Sequence, residues 1–219
     1  MKYKDDYIGN YRVTKKISNG AFGDVYLAQH TFLTNRTAVA IKVLRSVHLG
    51  SSQERGRFIE EAQFLDKLKH PHILSVIDVG IHEDCPYLVT EYASKGSLRD
   101  LLQRQSPQLL SIEESINILT QVGQALDYAH KQNVIHRDLK PENIIFNAEG
   151  KAILADFGIA TVLDAATRQT TTMGTLHYMA PEQFRNTIAK QSDQYALGCI
   201  AYELFTGHMV FDALYQSAN

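Results

Sequence analysis

Cysteine is nearly absent. The 219 residues hold two, Cys85 and Cys199, far apart and in no clustered spacing. That pattern excludes a disulfide framework and reads as two thiols in a reducing compartment. An excess of either charge is also missing: 22 Lys and Arg stand against 24 Asp and Glu, a net −2, so no surface for nucleic acid or another polyanion is expected. No long hydrophobic run occurs. The longest apolar stretch, Tyr195 to Phe205, follows Asp193 and is interrupted by Glu203. It is too short to cross a bilayer and reads as a buried helix. The first residues, Met1 to Asp6, are charged and have no apolar core, unlike a signal peptide. The expectation is a cytoplasmic chain with no membrane segment up to Asn219, leaving open a membrane tether beyond it. Repeats and low-complexity tracts are lacking too. What is present, 44% hydrophobic and 21% charged residues, suits one large domain or two small lobes.

The pattern changes character partway. Tyr11-Arg12-Val13, Asp24 to Ala28 and Ala38 to Val43 are rich in β-formers and separated by turn residues. Residues 54 to 69 predict a helix, because Phe58, Ala62, Leu65 and Leu68 recur near a 3.6-residue period, and His70-Pro71 ends it. Ile73 to Val79 and Tyr87 to Glu91 read as strands. From Gly96 onward helices dominate. Ser97 can cap Leu98 to Arg104, and Ser111 with Glu114 forms a capping box before Ile112 to Gln132. Short strands are expected at Ile144 to Phe146 and Ala152 to Ala155, a polar threonine-rich stretch at Asp164 to Thr172, and a last helix at Ser192 to Thr206. The predicted architecture is a small β-rich lobe (about 11–91), a connection at about 91–96 and a larger helical lobe from 97.

Ser18-Asn19-Gly20-Ala21-Phe22-Gly23-Asp24-Val25 lies between two predicted strands. Glycines there let backbone N–H groups approach phosphates, although a plain hairpin turn would read similarly. Lys42, in Ala40-Ile41-Lys42, sits in an apolar strand. A buried ammonium there requires a partner. Glu61 on the following helix is the candidate, rather than its neighbour Glu60.

Val134 to Asn143, reading VIHRDLKPEN, is the most specific signal in the chain, followed by Asp156-Phe157-Gly158 and Met179-Ala180-Pro181-Glu182. In order and spacing these resemble the catalytic loop, the magnesium motif and the end of the activation segment of protein kinases of the eukaryotic (Hanks) type. The resemblance spans residues 11–219. It implies an α+β, two-lobed kinase fold, with an antiparallel N-lobe sheet carrying one helix and an incomplete, mainly helical C-lobe. It also implies ATP-dependent phosphorylation of Ser and Thr hydroxyls on protein substrates. Asp138 would act as base, Lys140 near the γ-phosphate, and Lys42, held by Glu61, on the α- and β-phosphates. Asn143 and Asp156 would bind Mg²⁺, with Mn²⁺ as the alternative ion. The nucleotide would meet Ile17, Ser18, Gly20, Gly23, Val25, Ala40, the gatekeeper Thr90, Glu91 and Ala93 of the hinge, and Ile145, with Ser97 towards the ribose. Ser18 departs from the family's usual first glycine, which bears on affinity rather than identity.

Lys140 and Thr175 favour Ser/Thr specificity within that resemblance. Arg137 beside Asp138 implies regulation by an incoming phosphate, with Thr170, Thr171 and Thr172 as acceptors. Asp193 resembles the buried aspartate that braces the catalytic loop. His136 and Phe157 would pack, with Leu65 and Val76, in an apolar spine. A metal role for His136 or for His70 and His72 is disfavoured, since no Cys/His cluster accompanies them. The motif style resembles bacterial members. The family's later helices, and the arginine that pairs with the acid matched by Glu182, do not occur before Asn219; an isolated chain of this length is expected to be marginally stable and weakly active, with apolar surface exposed on its last helix. Two rivals remain: a pseudokinase scaffold, which usually lacks one of the positions matched by Lys42, Asp138, Asn143 and Asp156, and a small-molecule phosphotransferase, which generally lacks the Ala-Pro-Glu segment and Lys140.

Overall fold

A computed structural model describes residues 7–19, 23–33, 38–44, 56, 58–60, 62, 65–157, 173–185, 187 and 189–211. Gly20, Glu61, Thr170, Thr171 and Thr172 lie outside the described residues, as does the side chain of Thr175. The described residues form two compact units, one of residues 7–69 and 74–93, the other of 70–73, 94–157 and 173–211.

The first unit is built on a six-stranded antiparallel sheet. Its strands are β1 (Tyr7–Ile8), β2 (Tyr11–Asn19), β3 (Gly23–His30), β4 (Val39–Leu44), β5 (Val76–His82) and β6 (Cys85–Glu91), in the order β1-β2-β3-β4-β6-β5. Alternation decides the faces. Tyr26 and Ala28 on β3, Val39, Ile41 and Val43 on β4, and Tyr87 and Val89 on β6 share one buried cluster. Glu83 and Asp84, both at positive φ, make the two-residue turn between β5 and β6, as a tight hairpin with right-handed strand twist requires. In the segment before β5, residues 56, 58–60, 62 and 65 are helical, and Phe58, Ala62, Leu65 and Leu68 are buried, the stripe the periodicity predicts.

Ile73 departs from expectation. β5 begins at Val76, and Ile73 instead makes a lone parallel bridge to Leu154 in the second unit, where the Leu154 N–H donates to the His72 carbonyl at 2.9 Å. The Ile73 N–H itself donates back to the His70 carbonyl at 3.1 Å, a local turn and not a β5 pairing.

The second unit contains α1 (Leu98–Gln105), α2 (Ile112–Lys131), the hairpin β7 (Ile144–Phe146) and β8 (Ala152–Leu154), and α3 (Lys190–Thr206). The expected Ser97 cap and Ser111 capping box both form, and the Ser97 cap is itself a capping box with Asp100. The Ser97 hydroxyl accepts from the Asp100 N–H, the Ser111 hydroxyl accepts from the Glu114 N–H, and each carboxylate reaches back to the cap N–H. Helix α3 begins at Lys190, two residues earlier than expected. Ser192 acts from inside the first turn: its hydroxyl accepts from the Ala189 N–H at 3.3 Å and donates to Glu182 at 2.7 Å. Gly207, at φ +76, ends α3, its N–H donating to the Glu203 carbonyl at 2.8 Å. Ala196, Cys199, Ile200 and Leu204 of this helix are buried, while Tyr202 and Phe205 are exposed. Among the described residues no helix is long and apolar enough to cross a membrane.

Candidate active site

In the first unit, register alone gathers several of the expected nucleotide residues. Val25 pairs with Lys42 and Lys42 with Leu88, while Ala40 pairs with Thr90. Residues directly opposite share a face, and so do residues two apart. Val25, Ala40, Lys42 and Thr90 therefore stand on the sheet face opposite the Tyr26–Ile41–Val89 cluster. Ser18 pairs with Val25 next to them, and Ile17 is exposed. The Thr90 hydroxyl donates to the Glu91 carbonyl at 3.2 Å. Gly23 has a steric reason to be glycine apart from any phosphate: a Cβ there would lie 2.1 Å from the Val43 carbonyl oxygen. Glu60, the neighbour passed over as partner for Lys42, is exposed.

In the second unit the segment from Val134 to Asn143 has little regular structure, ending in a 3-10 turn at Pro141–Asn143. Side chains from elsewhere hold it. Asp193, 1% exposed at the start of α3, accepts from the His136 N–H at 2.8 Å and the Arg137 N–H at 2.9 Å, and its Oδ2 lies 2.7 Å from His130 Nε2. Arg137 is held at φ +72 and Asp156 at φ +61. Left-handed backbone costs a residue with a side chain about 1–3 kcal/mol, so surrounding contacts must fix it.

The titratable side chains converge within this frame. Lys140 Nζ lies 2.7 Å from Asp138 Oδ2, and the two side chains are only 15% and 18% exposed. Asn143 Nδ2 donates to the Asp138 carbonyl at 2.7 Å and approaches Asp138 Oδ2 at 3.2 Å. With Nδ2 used in this way, the amide offers its oxygen elsewhere. Asp156 is tied to the same loop through its neighbour: the Ala155 N–H donates to the Asn143 carbonyl at 2.8 Å, and the Ala155 carbonyl lies 2.8 Å from His136 Nε2. His136 Nδ1 accepts from the Asp138 N–H at 3.3 Å, which places the ring proton on Nε2. The rings of His136 and Phe157 meet edge-on at 4.7 Å. His72 Nδ1 lies 2.8 Å from the Ala152 carbonyl, and His70 stacks on Tyr128. Burial, followed by the nearby His72, lowers the His70 pKa. Ile145 pairs with Ile153 in β7–β8 and bridges Ser97. Arg137 Nε is buried and has no hydrogen-bond partner among the described residues.

Sequence reasoning missed a charged cluster beside the loop. Arg99 on α1 donates to Glu142 at 2.9 Å, to Glu203 on α3 at 2.6 Å and to the Tyr178 hydroxyl, which itself donates to Glu203. Arg99 is 15% exposed and Glu203 7%. Burial and the Glu203 carboxylate push the Tyr178 pKa far up, while the hydrogen bond to Glu203 keeps Arg99 firmly charged against its own burial. Arg99 and Glu203 are 104 positions apart, and only folding shows that they meet. Gln183 was also missed. Its Nε2 donates to the Arg137 carbonyl at 3.0 Å and its Oε1 accepts from the Ala180 N–H at 2.9 Å.

Comparison with known proteins agrees with this geometry. The protein kinase domain family matches residues 11–218. The chain is 41% identical over 209 residues to a probable serine/threonine-protein kinase PknB of Lactococcus lactis, covering 94% of this chain and 33% of that protein. It is 38% identical over 207 residues to the serine/threonine-protein kinase PrkC of Bacillus subtilis, covering 93% of this chain and 31% of that protein. It thus spans about a third of the length of these relatives. The crystal structure of the Mycobacterium tuberculosis PknI kinase domain superposes with a TM-score of 0.76 in one form, at 30% identity, covering 94% of this chain and 77% of that one. The family match over residues 11–218, together with these relatives, shows that the chain belongs to the protein kinase family.

Proposed function

We propose that this chain is the ATP-dependent phosphotransfer domain of a serine/threonine protein kinase. The observation that carries the reading is the side-chain group Asp138–Lys140–Asn143, held at 2.7–3.2 Å in a loop whose backbone is fixed by Asp193. Asp138 orients a substrate hydroxyl and takes its proton as the oxygen–phosphorus bond forms and the β–γ bridge breaks, releasing ADP. Lys140 neutralises charge growing on the transferred group, and Lys42 holds the α- and β-phosphates. The donor set fits a hard divalent cation: the Asn143 amide oxygen and the Asp156 carboxylate are oxygen ligands of the kind that suit Mg²⁺ or Mn²⁺, and we favour Mg²⁺. An ion held by these two side chains would supply positive charge against the phosphates during transfer.

Gly20 and Gly23 would flank the phosphates, and Val25, Ala40 and Ile145 the base. Ile17, Ser18, Thr90, Glu91 and Ala93 complete the nucleotide contacts. Glu61 would orient Lys42. The buried, unpartnered Arg137 Nε supports regulation by phosphate on Thr170, Thr171 or Thr172, with Thr175 contacting the base and lysine. A net charge of −2 favours protein over nucleic-acid partners, and the need for ATP favours the cytoplasmic side. The test is transfer of labelled γ-phosphate to a generic basic protein, with Asp156→Ala as control. The wild type labels the protein and the variant does not. Equal labelling by both would overturn the mechanism.

A further inference from the structure

Arg137 immediately precedes Asp138, and its left-handed backbone is disfavoured for a residue with a side chain. Its direction into Asp138 therefore depends on what grips the two flanking peptide groups. The N–H is gripped by Asp193 Oδ1 at 2.9 Å. The carbonyl accepts from Gln183 Nε2 at 3.0 Å. Gln183 lies in a short 3-10 turn, Gln183–Arg185, immediately after Ala180-Pro181-Glu182. The same amide faces both ways: its Oε1 accepts from the Ala180 N–H at 2.9 Å, and the Gln183 N–H donates to the Ala180 carbonyl, also at 2.9 Å. Only one amide orientation satisfies both side-chain bonds, with nitrogen on the Arg137 carbonyl and oxygen on the Ala180 N–H. A carboxylate of the same shape could not do this, because it would set one acceptor against another.

We propose that Gln183 is a positioning residue for the phosphotransfer reaction, locking the Arg137 carbonyl and so aiming Asp138. The same amide makes that aim conditional on the Ala180–Glu182 segment being seated, since both of its ends are engaged only then. The inference rests on the reading of Asp138 as the base. It differs from the Asp193 brace, which holds the N–H side of the same residue.

The experiment compares Gln183→Glu and Gln183→Met with the wild-type chain and with Asp138→Asn. Steady-state transfer gives kcat and KM for ATP, and thermal melting gives the folded state. Both Gln183 variants should lose kcat about 10- to 100-fold, the scale on which small misplacements act, with KM for ATP unchanged. Glu should be the worse of the two, because it adds repulsion to the lost donor. Met has the same reach without charge and keeps the test open if the Glu variant fails to fold. A merely structural role would lower the melting temperature and leave kcat per folded enzyme intact, and that outcome overturns the proposal. So does an unchanged kcat in both variants alongside an inactive Asp138→Asn. If Asp138→Asn transfers phosphate as the wild type does, the reading of the base fails, and the positioning role fails with it.

Discussion

The six-stranded sheet and the segment from Val134 to Asn143 are held by opposite means. In the sheet, backbone pairs with backbone, and alternation sorts side chains into a buried cluster and the Lys42 face. In the segment from Val134 to Asn143 few backbone groups pair with each other. Side chains distant in sequence do the holding: Asp193 from 56 and 57 positions away, Gln183 from 46. A sheet spreads its support over many weak, redundant contacts. A side-chain clamp concentrates it in a few groups, each of which leaves a buried polar atom unpaired if removed. The same concentration permits strained backbone at Arg137 and Asp156, next to the groups that would do chemistry. The second unit should therefore be the more sensitive to single substitutions at polar positions, and the first to changes in volume.

Arg99→Met should have the largest effect on stability. It strands the buried Glu203 carboxylate, and losing one partner of a buried ion pair costs about 3–5 kcal/mol. Denaturant melts measure this, and adding Glu203→Gln should restore most of it, since a glutamine oxygen still accepts from Tyr178. A single variant as stable as wild type would mean that this cluster carries no weight. Next is Gly23→Ala in the sheet. Its Cβ would press on the Val43 carbonyl, and overpacking of this kind costs about 1–3 kcal/mol. Melting separates this from a purely nucleotide effect, because the loss should appear without ATP.

Ser97→Ala is the mildest. Loss of an N-cap hydroxyl costs about 1 kcal/mol. Hydrogen bonds from the Ser97 N–H and then its hydroxyl hold the Asp100 pKa below the usual carboxylate range. A depressed carboxyl stabilises the fold above its ordinary value, about 3.9, and that contribution fades as pH falls through the lower folded value. The variant's acid-stability profile below about pH 4 should therefore be flatter than that of wild type.

The same contrast explains what the sequence made legible. The strands, the stripe of Phe58, Ala62, Leu65 and Leu68, the Ser97 cap and the Ser111–Glu114 capping box follow from local periodicity and capping chemistry, and all appear at or near the expected residues. The segment from Val134 to Asn143 was legible through its motif, which names Asp138, Lys140 and Asn143, as Asp156-Phe157-Gly158 names Asp156, but neither says what restrains them. Asp193 was found because it sits in a motif of its own. Arg99, Glu203 and Gln183 were not, because an arginine on a short helix or a glutamine in a turn is, in sequence, an ordinary surface residue. Ile73 was misread for a related reason. Its apolar character suits a strand, and only the fold shows that its partner is Leu154. Ser192 was read as the first residue of the last helix, and it is the third, its hydroxyl accepting from the Ala189 N–H.

The account depends most on Asp138 acting on the substrate hydroxyl while the nucleotide is held by other groups. Asp138→Asn should test this most directly, with Mg-ATP affinity and γ-phosphate transfer measured on the same preparation. Affinity should match wild type while transfer falls by at least about 100-fold, in line with the loss of a general base. Transfer at the wild-type rate, with affinity intact, would contradict the account.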